Sequence, residues 1–262
     1  MDWILVTNDD GVDAPSLPPL ARAIGALAPV RVVAPDGERS WVGKAITRFE
    51  PVRVQVVERA GIEIHAVSGY PADCVQLGLH GLFDEPPLLV VSGINAGYNH
   101  GAAYIQSSGT VGAALEGAIG GVDAVALSTQ SRTRGWREWR PWSLSAASVP
   151  MWERLASLAA DLAAPVLAAA PQGLVLNVNL PDDADADTPR RLTRVAEVGY
   201  DRLFTRTVGG EFVHDYRGFL NHFAPPEGTD VQASAEGCIA ITPLRGVSTA
   251  EMPPALRRAL AI

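Results

Sequence analysis

Short apolar runs recur along this chain, and each breaks off into a cluster of polar residues and glycine. Ile4-Leu5-Val6 stops at Thr7-Asn8-Asp9-Asp10-Gly11, and Val30-Arg31-Val32-Val33-Ala34 stops at Pro35-Asp36-Gly37-Glu38-Arg39-Ser40. Leu88-Leu89-Val90-Val91 runs into Ser92-Gly93-Ile94-Asn95-Ala96-Gly97-Tyr98-Asn99-His100-Gly101. Between the first two runs, Ser16 stands as a helix N-cap, Pro18 and Pro19 suit a first turn, and Leu17, Leu20, Ile24 and Leu27 recur at helical spacing. Strand, helix, strand is the start of a βαβ unit. Parallel strands joined in this way place their C-terminal ends along one edge of the sheet, where ligands of open α/β folds bind. Each segment that follows a strand is therefore a candidate piece of one site.

The rest of the chain extends the pattern. Residues 48–67 alternate in short β-like pieces and read as antiparallel or edge material, while residues 71–83 carry Val75, Leu79 and Leu82 on one helical face. Residues 111–119 read as an Ala-rich helix, Ala124-Val125-Ala126-Leu127 as a strand core, and Trp152, Leu155, Leu158 and Leu162 as a helix. Leu174-Val175-Leu176-Asn177-Val178-Asn179-Leu180-Pro181 and Cys238-Ile239-Ala240-Ile241-Thr242-Pro243-Leu244 complete the strands, and residues 250–262 are expected to form a terminal helix. Between these, residues 190–230 are irregular, with Gly209-Gly210 as a hairpin tip. His214 and His222 lie in that region without the spacing of metal ligands and are left out of the site.

Asp9 and Asp10 carry the strongest chemical signal. Neighbouring carboxylates repel, and a hard divalent cation such as Mg²⁺ or Mn²⁺ relieves the repulsion while leaving positions for water and phosphate. Asp-Asp-Gly also serves as ordinary turn chemistry, so the pair needs partners from other strand ends. Ser40 supplies a hydroxyl after the second strand, and the Asn/Gly-rich segment after Val91 suits close approach of an anion or a metal. Ser108-Gly109-Thr110 precedes the Ala-rich helix, whose N-terminal amides and flanking hydroxyls would cradle phosphate.

Composition narrows the function further. Apolar residues make up 47% of the chain and charged residues 19%, and the formal charge is −8. That balance argues against a nucleic-acid or anionic-membrane binder, and a cytoplasmic location is expected. Cys74 and Cys238 are far apart and flanked by apolar residues, which points to buried thiols. Lys44 is the single lysine in a chain otherwise basic through arginine, and it sits beside Gly43, so it is either a residue with a specific job or a solvated side chain. Arginine and tryptophan interleave over residues 132–142. Such a mix can stack on bases and grip phosphates, but an exposed loop or subunit contact with Trp anchors is the preferred reading.

The assembled set resembles the survival protein E (SurE) family of metal-dependent nucleotidases and acid-type phosphatases. The resemblance rests on Thr7-Asn8-Asp9-Asp10-Gly11 with Ala14-Pro15, Ala34-Pro35-Asp36 with Arg39-Ser40, Ala72-Asp73-Cys74-Val75, Ser92-Gly93-Ile94-Asn95-Ala96-Gly97 with Asn99, and Ser108-Gly109-Thr110. It continues through Leu176-Asn177-Val178-Asn179, Thr229-Asp230 and Ile241-Thr242-Pro243-Leu244, and so spans nearly the whole chain. It implies a three-layer Rossmann-like α/β domain with a mostly parallel sheet. The core would cover residues 1–181, and a β-rich extension over 182–262, with a final core strand and the C-terminal helix, would be exchanged between subunits of a homodimer or homotetramer. It implies one divalent ion per subunit on Asp9, Asp10, Ser40 and Asn95, with Asn99, Ser108, Gly109 and Thr110 contacting phosphate. The implied reaction is hydrolysis of nucleoside 5′- or 3′-monophosphates, and of short polyphosphate, with Asp9 and Asp10 catalytic. The chain departs from the family at Ala45, where a serine is usual, at Lys44, and in a longer segment before Ser108 where Ala102-Ala103 replaces polar residues. Lys44 is therefore a candidate phosphate contact. Two other readings stand beside this one. A haloacid-dehalogenase-type phosphatase would separate its acids by one residue, and a catalytically weak nucleotide-binding protein would keep the pocket without turnover.

Overall fold

A computed structural model describes residues 2–215, 226–247 and 252. The expected terminal helix over 250–262 and His222 lie outside the described residues. The chain opens with β1 (Ile4–Thr7), α1 (Leu17–Ile24), β2 (Val30–Pro35), β3 (Val54–Arg59), β4 (Ile62–Val67) and α2 (Pro71–His80). It continues with β5 (Leu89–Ala96), α3 (Gly101–Ser107), α4 (Gly109–Ile119), β6 (Ala124–Gln130), α5 (Trp136–Ser143) and α6 (Val149–Ala169). The last described elements are β7 (Val175–Pro181), β8 (Arg190–Leu192), β9 (Phe204–Arg206), β10 (Phe212–His214), α7 (Asp230–Ala235) and β11 (Ile239–Leu244).

Nine strands form one sheet in the order β3-β4-β2-β1-β5-β6-β7-β11-β8. From β4 to β7 every pairing is parallel, while β3 and β11 run antiparallel to their inner neighbours. The expected three layers follow from strand alternation. Ile4 and Val6 point into the core under α1 and α6, whereas Leu5 points into the core under α2 and α4. Val91 and Val90 divide in the same way. Strands covered on both faces in this manner read as unbroken apolar runs rather than alternating ones.

The chain passes from β1 to β2 on one side, then returns to place β5 on the other side of β1. This is the switch point at which open α/β sheets leave a crevice beyond the strand ends. Asp9 and Asp10 follow β1, and Asn95 lies near the end of β5, where the pairing with β6 shifts register between Ser92 and Asn95.

Several local expectations change. Ser16 precedes α1, but its hydroxyl makes no capping bond, and two prolines fill the first turn. The longer segment before Ser108 is not an open loop: it forms α3, tied by Ala102 and Ala103 amides to the Ala196 and Val198 carbonyls. Residues 132–135 form an exposed loop as expected, but the rest of the Arg/Trp stretch is helical: α5 buries Trp139 completely and anchors its indole on Asp182 at 3.0 Å. β11 pairs directly with β7 as a final strand of the same sheet. The Gly209-Gly210 turn joins β9 and β10 as an antiparallel hairpin. Cys74 and Cys238 are buried free thiols. Among the described residues no helix is long and apolar enough to cross a membrane.

Candidate active site

Asn8 begins the site by holding its own turn. Its side chain donates to the Gly11 carbonyl at 3.0 Å and accepts from the Gly11 amide at 3.1 Å, which fixes the chain just past β1. Gly11 has φ +89, and a Cβ there would lie 2.7 Å from the Gly37 backbone, so only glycine lets the loops after β1 and β2 touch. The Arg39 amide then donates to the Asp9 carbonyl at 2.7 Å, which brings the Ser40 segment alongside the acids.

Neither acid sits at a solvent edge. Asp9 is only 4% exposed, and the side chain of Asp10 is 5% exposed. The Thr110 hydroxyl donates to Asp9 Oδ1 at 2.6 Å, and the Thr110 backbone amide also bonds Asp9. A Cβ on Gly109 would stand 2.8 Å from the Asp9 Cβ, so glycine lets the N-terminus of α4 come down onto the carboxylate. Asp10 accepts from the Ala96 amide at 3.2 Å and from Arg140 at 2.9 Å. Burial first, and then the neighbouring Asp10, push the Asp9 carboxyl up from 3.8 to about 7. Burial raises Asp10 as well, with Arg140 opposing it. The pair is thus short of positive charge.

An open cleft lies over these groups. Asp9, Ser40, Asn95, Asn99 and Ser108 all line it, so strand-end reasoning brought together residues from four segments. Ser40 donates to Glu38 at 2.7 Å. Asn95 directs its amide nitrogen to the Gly97 carbonyl at 2.7 Å, which leaves the amide oxygen as the atom suited to a cation. Asn99 is held by Asn179, Asn177 and Ser128. Ser108 caps α4 by accepting from the Val111 amide at 3.0 Å.

Two expected phosphate contacts are placed differently. Lys44 does not line the cleft: its ammonium pairs with the buried Glu116 of α4, which Gln76 of α2 also contacts. Thr110 is fully buried and engages Asp9, so it positions an acid instead of facing a ligand. Sequence reasoning also missed Glu38, Trp41, Tyr104, Trp136 and Arg140 on the walls. Glu38 was discoverable from its place after β2. Trp41 packs against Tyr104, Tyr200 and His214, which puts His214 behind the rim of the cleft.

The donors suit a hard cation. Among the described residues no three His, Cys, Asp or Glu side chains form a metal-ligand group. A cation on Asp9 and Asp10 would therefore take its other ligands from neutral oxygens, such as the Ser40 hydroxyl and Asn95 amide, and from water. That mixture is typical of Mg²⁺ and Mn²⁺, and the raised Asp9 carboxyl is the mark of a site that such a charge would relieve.

The Survival protein SurE family model matches residues 4–202. The chain belongs to the SurE family. It is 39% identical over 273 residues to a protein named 5′-nucleotidase SurE from Methanopyrus kandleri, with 98% of each chain covered. A Geobacter sulfurreducens protein of the same name is 40% identical over 255 residues, covering 92% of this chain and 87% of its own. In three dimensions the chain is similar to the SurE protein of Aquifex aeolicus, with a TM-score of 0.76, 29% identity, and coverage of 98% and 99%. The buried acid pair, Asn95, Asn99 and the α4 N-terminus thus sit within a SurE fold, while Arg140 comes from a helix that the family resemblance did not include.

Proposed function

We propose that this chain is a divalent-metal-dependent phosphomonoesterase that hydrolyses nucleoside 5′-monophosphates, and 3′-monophosphates or short polyphosphate as further substrates. The observation that carries this reading is the pair of buried carboxylates at the switch point, faced by oxygen donors from the ends of β2 and β5 and by the N-terminus of α4. The names of its SurE relatives supply the substrate class.

Asp9, Asp10, Ser40 and Asn95 would hold one Mg²⁺ or Mn²⁺. Bound there, the ion would polarise phosphoryl oxygens and acidify water. Asn99 and Ser108, both on the cleft wall, would orient the phosphate. Of the two acids only Asp9 lines the cleft, which would place it to accept the proton of the attacking water. Water oxygen joins phosphorus, the ester P–O bond breaks, and the nucleoside oxygen leaves with a proton. The exposed edge strand β8 and the exposed apolar faces of Phe204, Phe212 and Val213 favour a homodimer or homotetramer.

The test is a phosphate-release panel over nucleoside 5′- and 3′-monophosphates and short polyphosphate, run with Mg²⁺, with Mn²⁺ and with chelator. Release from nucleoside monophosphates that chelator abolishes and Asp9→Asn lacks is expected. If neither metal supports release from any nucleotide, the proposal fails.

A further inference from the structure

Arg140 enters the acid pocket from a part of the chain remote from the first two strands. It is held there firmly. Trp139 anchors α5 in the core, and the Arg140 carbonyl accepts from the Ser143 hydroxyl at 2.8 Å. Its Nη2 donates to Asp10 Oδ1 at 2.9 Å and reaches Glu38 Oε1 at 3.4 Å. Its Nη1 is buried and has no hydrogen-bond partner among the described residues, although Arg140 lines the cleft together with Asp9, Asn95 and Ser108.

A buried N–H without an acceptor is unfavourable, and an incoming anionic oxygen would satisfy it. The planar guanidinium fork suits this division of labour, because one nitrogen can stay on a carboxylate while its neighbour meets a phosphoryl oxygen. The same charge works against a divalent ion, since it already neutralises part of Asp10 and Glu38. Resting on the metal-dependent reading above, we propose that Arg140 grips the phosphoryl group through Nη1 and, through Nη2 on Asp10, weakens divalent-ion binding. Removal of the guanidinium therefore acts in opposite directions on metal and phosphate, which loss of a merely structural side chain does not.

The test compares wild type with Arg140→Gln and Arg140→Lys. Calorimetric titration with Mn²⁺ alone should show Arg140→Gln binding the ion about tenfold more tightly. With Mn²⁺ saturating, inorganic phosphate should inhibit it about tenfold more weakly, and KM for a nucleoside monophosphate should rise more than kcat falls. Arg140→Lys keeps the charge but not the fork, so it should retain wild-type Mn²⁺ affinity while losing phosphate affinity. If Arg140→Gln melts too low to titrate, Arg140→Met, which also removes the charge, takes its place in both measurements. An unchanged phosphate constant in either variant, or an Mn²⁺ affinity that does not rise in Arg140→Gln, overturns the proposal. Absence of Mn²⁺ binding to wild type would overturn the metal reading and this inference together, whereas wild-type binding and turnover with insensitive variants would overturn this inference alone.

Discussion

Without a divalent ion, the acid pair should make this protein less stable as the pH rises. Unfolded, Asp9 titrates at its ordinary 3.8; folded, burial and Asp10 move it to about 7. A carboxyl whose folded proton affinity is raised contributes stability that is fully present below the unfolded value. That contribution is lost as pH rises through the folded one. At about 1.4 kcal/mol per tenfold change in proton affinity, the loss between about pH 4 and about pH 7 reaches about 4 kcal/mol. For a chain of this size that corresponds to a melting temperature lower by roughly 8–16 °C. Asp10 shifts in the same direction, but Arg140 opposes it.

The perturbation that isolates the effect is Asp9→Asn, which keeps the shape of the side chain and an oxygen to accept the Thr110 bond. Chelator-treated wild type and variant should be melted at intervals from pH 4 to pH 8. His100, which burial holds down at about 4, contributes stability above pH 6.5 that is lost as pH falls through about 4. It does so in both proteins and cancels in the difference. The variant should gain on wild type through this window, and Mn²⁺ should close the gap by stabilising wild type above pH 7. Parallel pH profiles for the two proteins would refute the reasoning.

Lys44→Ala should leave KM unchanged, because the ammonium pairs with Glu116 and not with the cleft. It should lower stability by about 1–3 kcal/mol, since the buried Glu116 carboxylate loses its cation, as read from urea midpoints. Asp73 accepts from the Thr47 amide at 3.0 Å, from the Thr47 hydroxyl at 2.6 Å and from the Tyr70 amide at 2.8 Å. Asp73→Ala should therefore cost about 2–4 kcal/mol in the same measurement while Mn²⁺ affinity stays as in wild type.

Much of this was legible in the sequence because the signal was local. Ile4 to Val6 reads as a buried strand and Asp9-Asp10-Gly11 as its tip from eight consecutive residues, and the parallel topology then carries Ser40, Asn95, Asn99 and Ser108 to the same edge. The misplaced residues depend on contacts between distant segments. Lys44 meets Glu116 only because α4 packs onto the Gly43 loop so closely that a Cβ on Gly112 would stand 2.4 Å from the Gly43 carbonyl. Thr110 looks like a phosphate-binding hydroxyl until the depth of Asp9 is known. Arg140 was hidden by composition, since Trp and Arg around Pro141 suggest a surface loop. Burial of Trp139 makes that segment a helix in spite of its poor propensity.

The charges in the cleft explain why a stable fold keeps so unfavourable a centre. Arg140 reaches Asp10 and Glu38, while burial raises the proton affinities of Asp9 and Asp10. Under the proposed function a divalent ion would add the missing charge, and a phosphate dianion would then enter beside Arg140 without meeting a net negative wall. The stability lost in the metal-free state is free energy that binding of the proposed ion would recover. It follows that neutralising Asp9 raises the stability of the metal-free protein at neutral pH through the same change that removes its capacity to hold the ion. A rise in melting temperature accompanied by loss of Mn²⁺ binding is what separates a functional acid from one that merely supports the turn after β1.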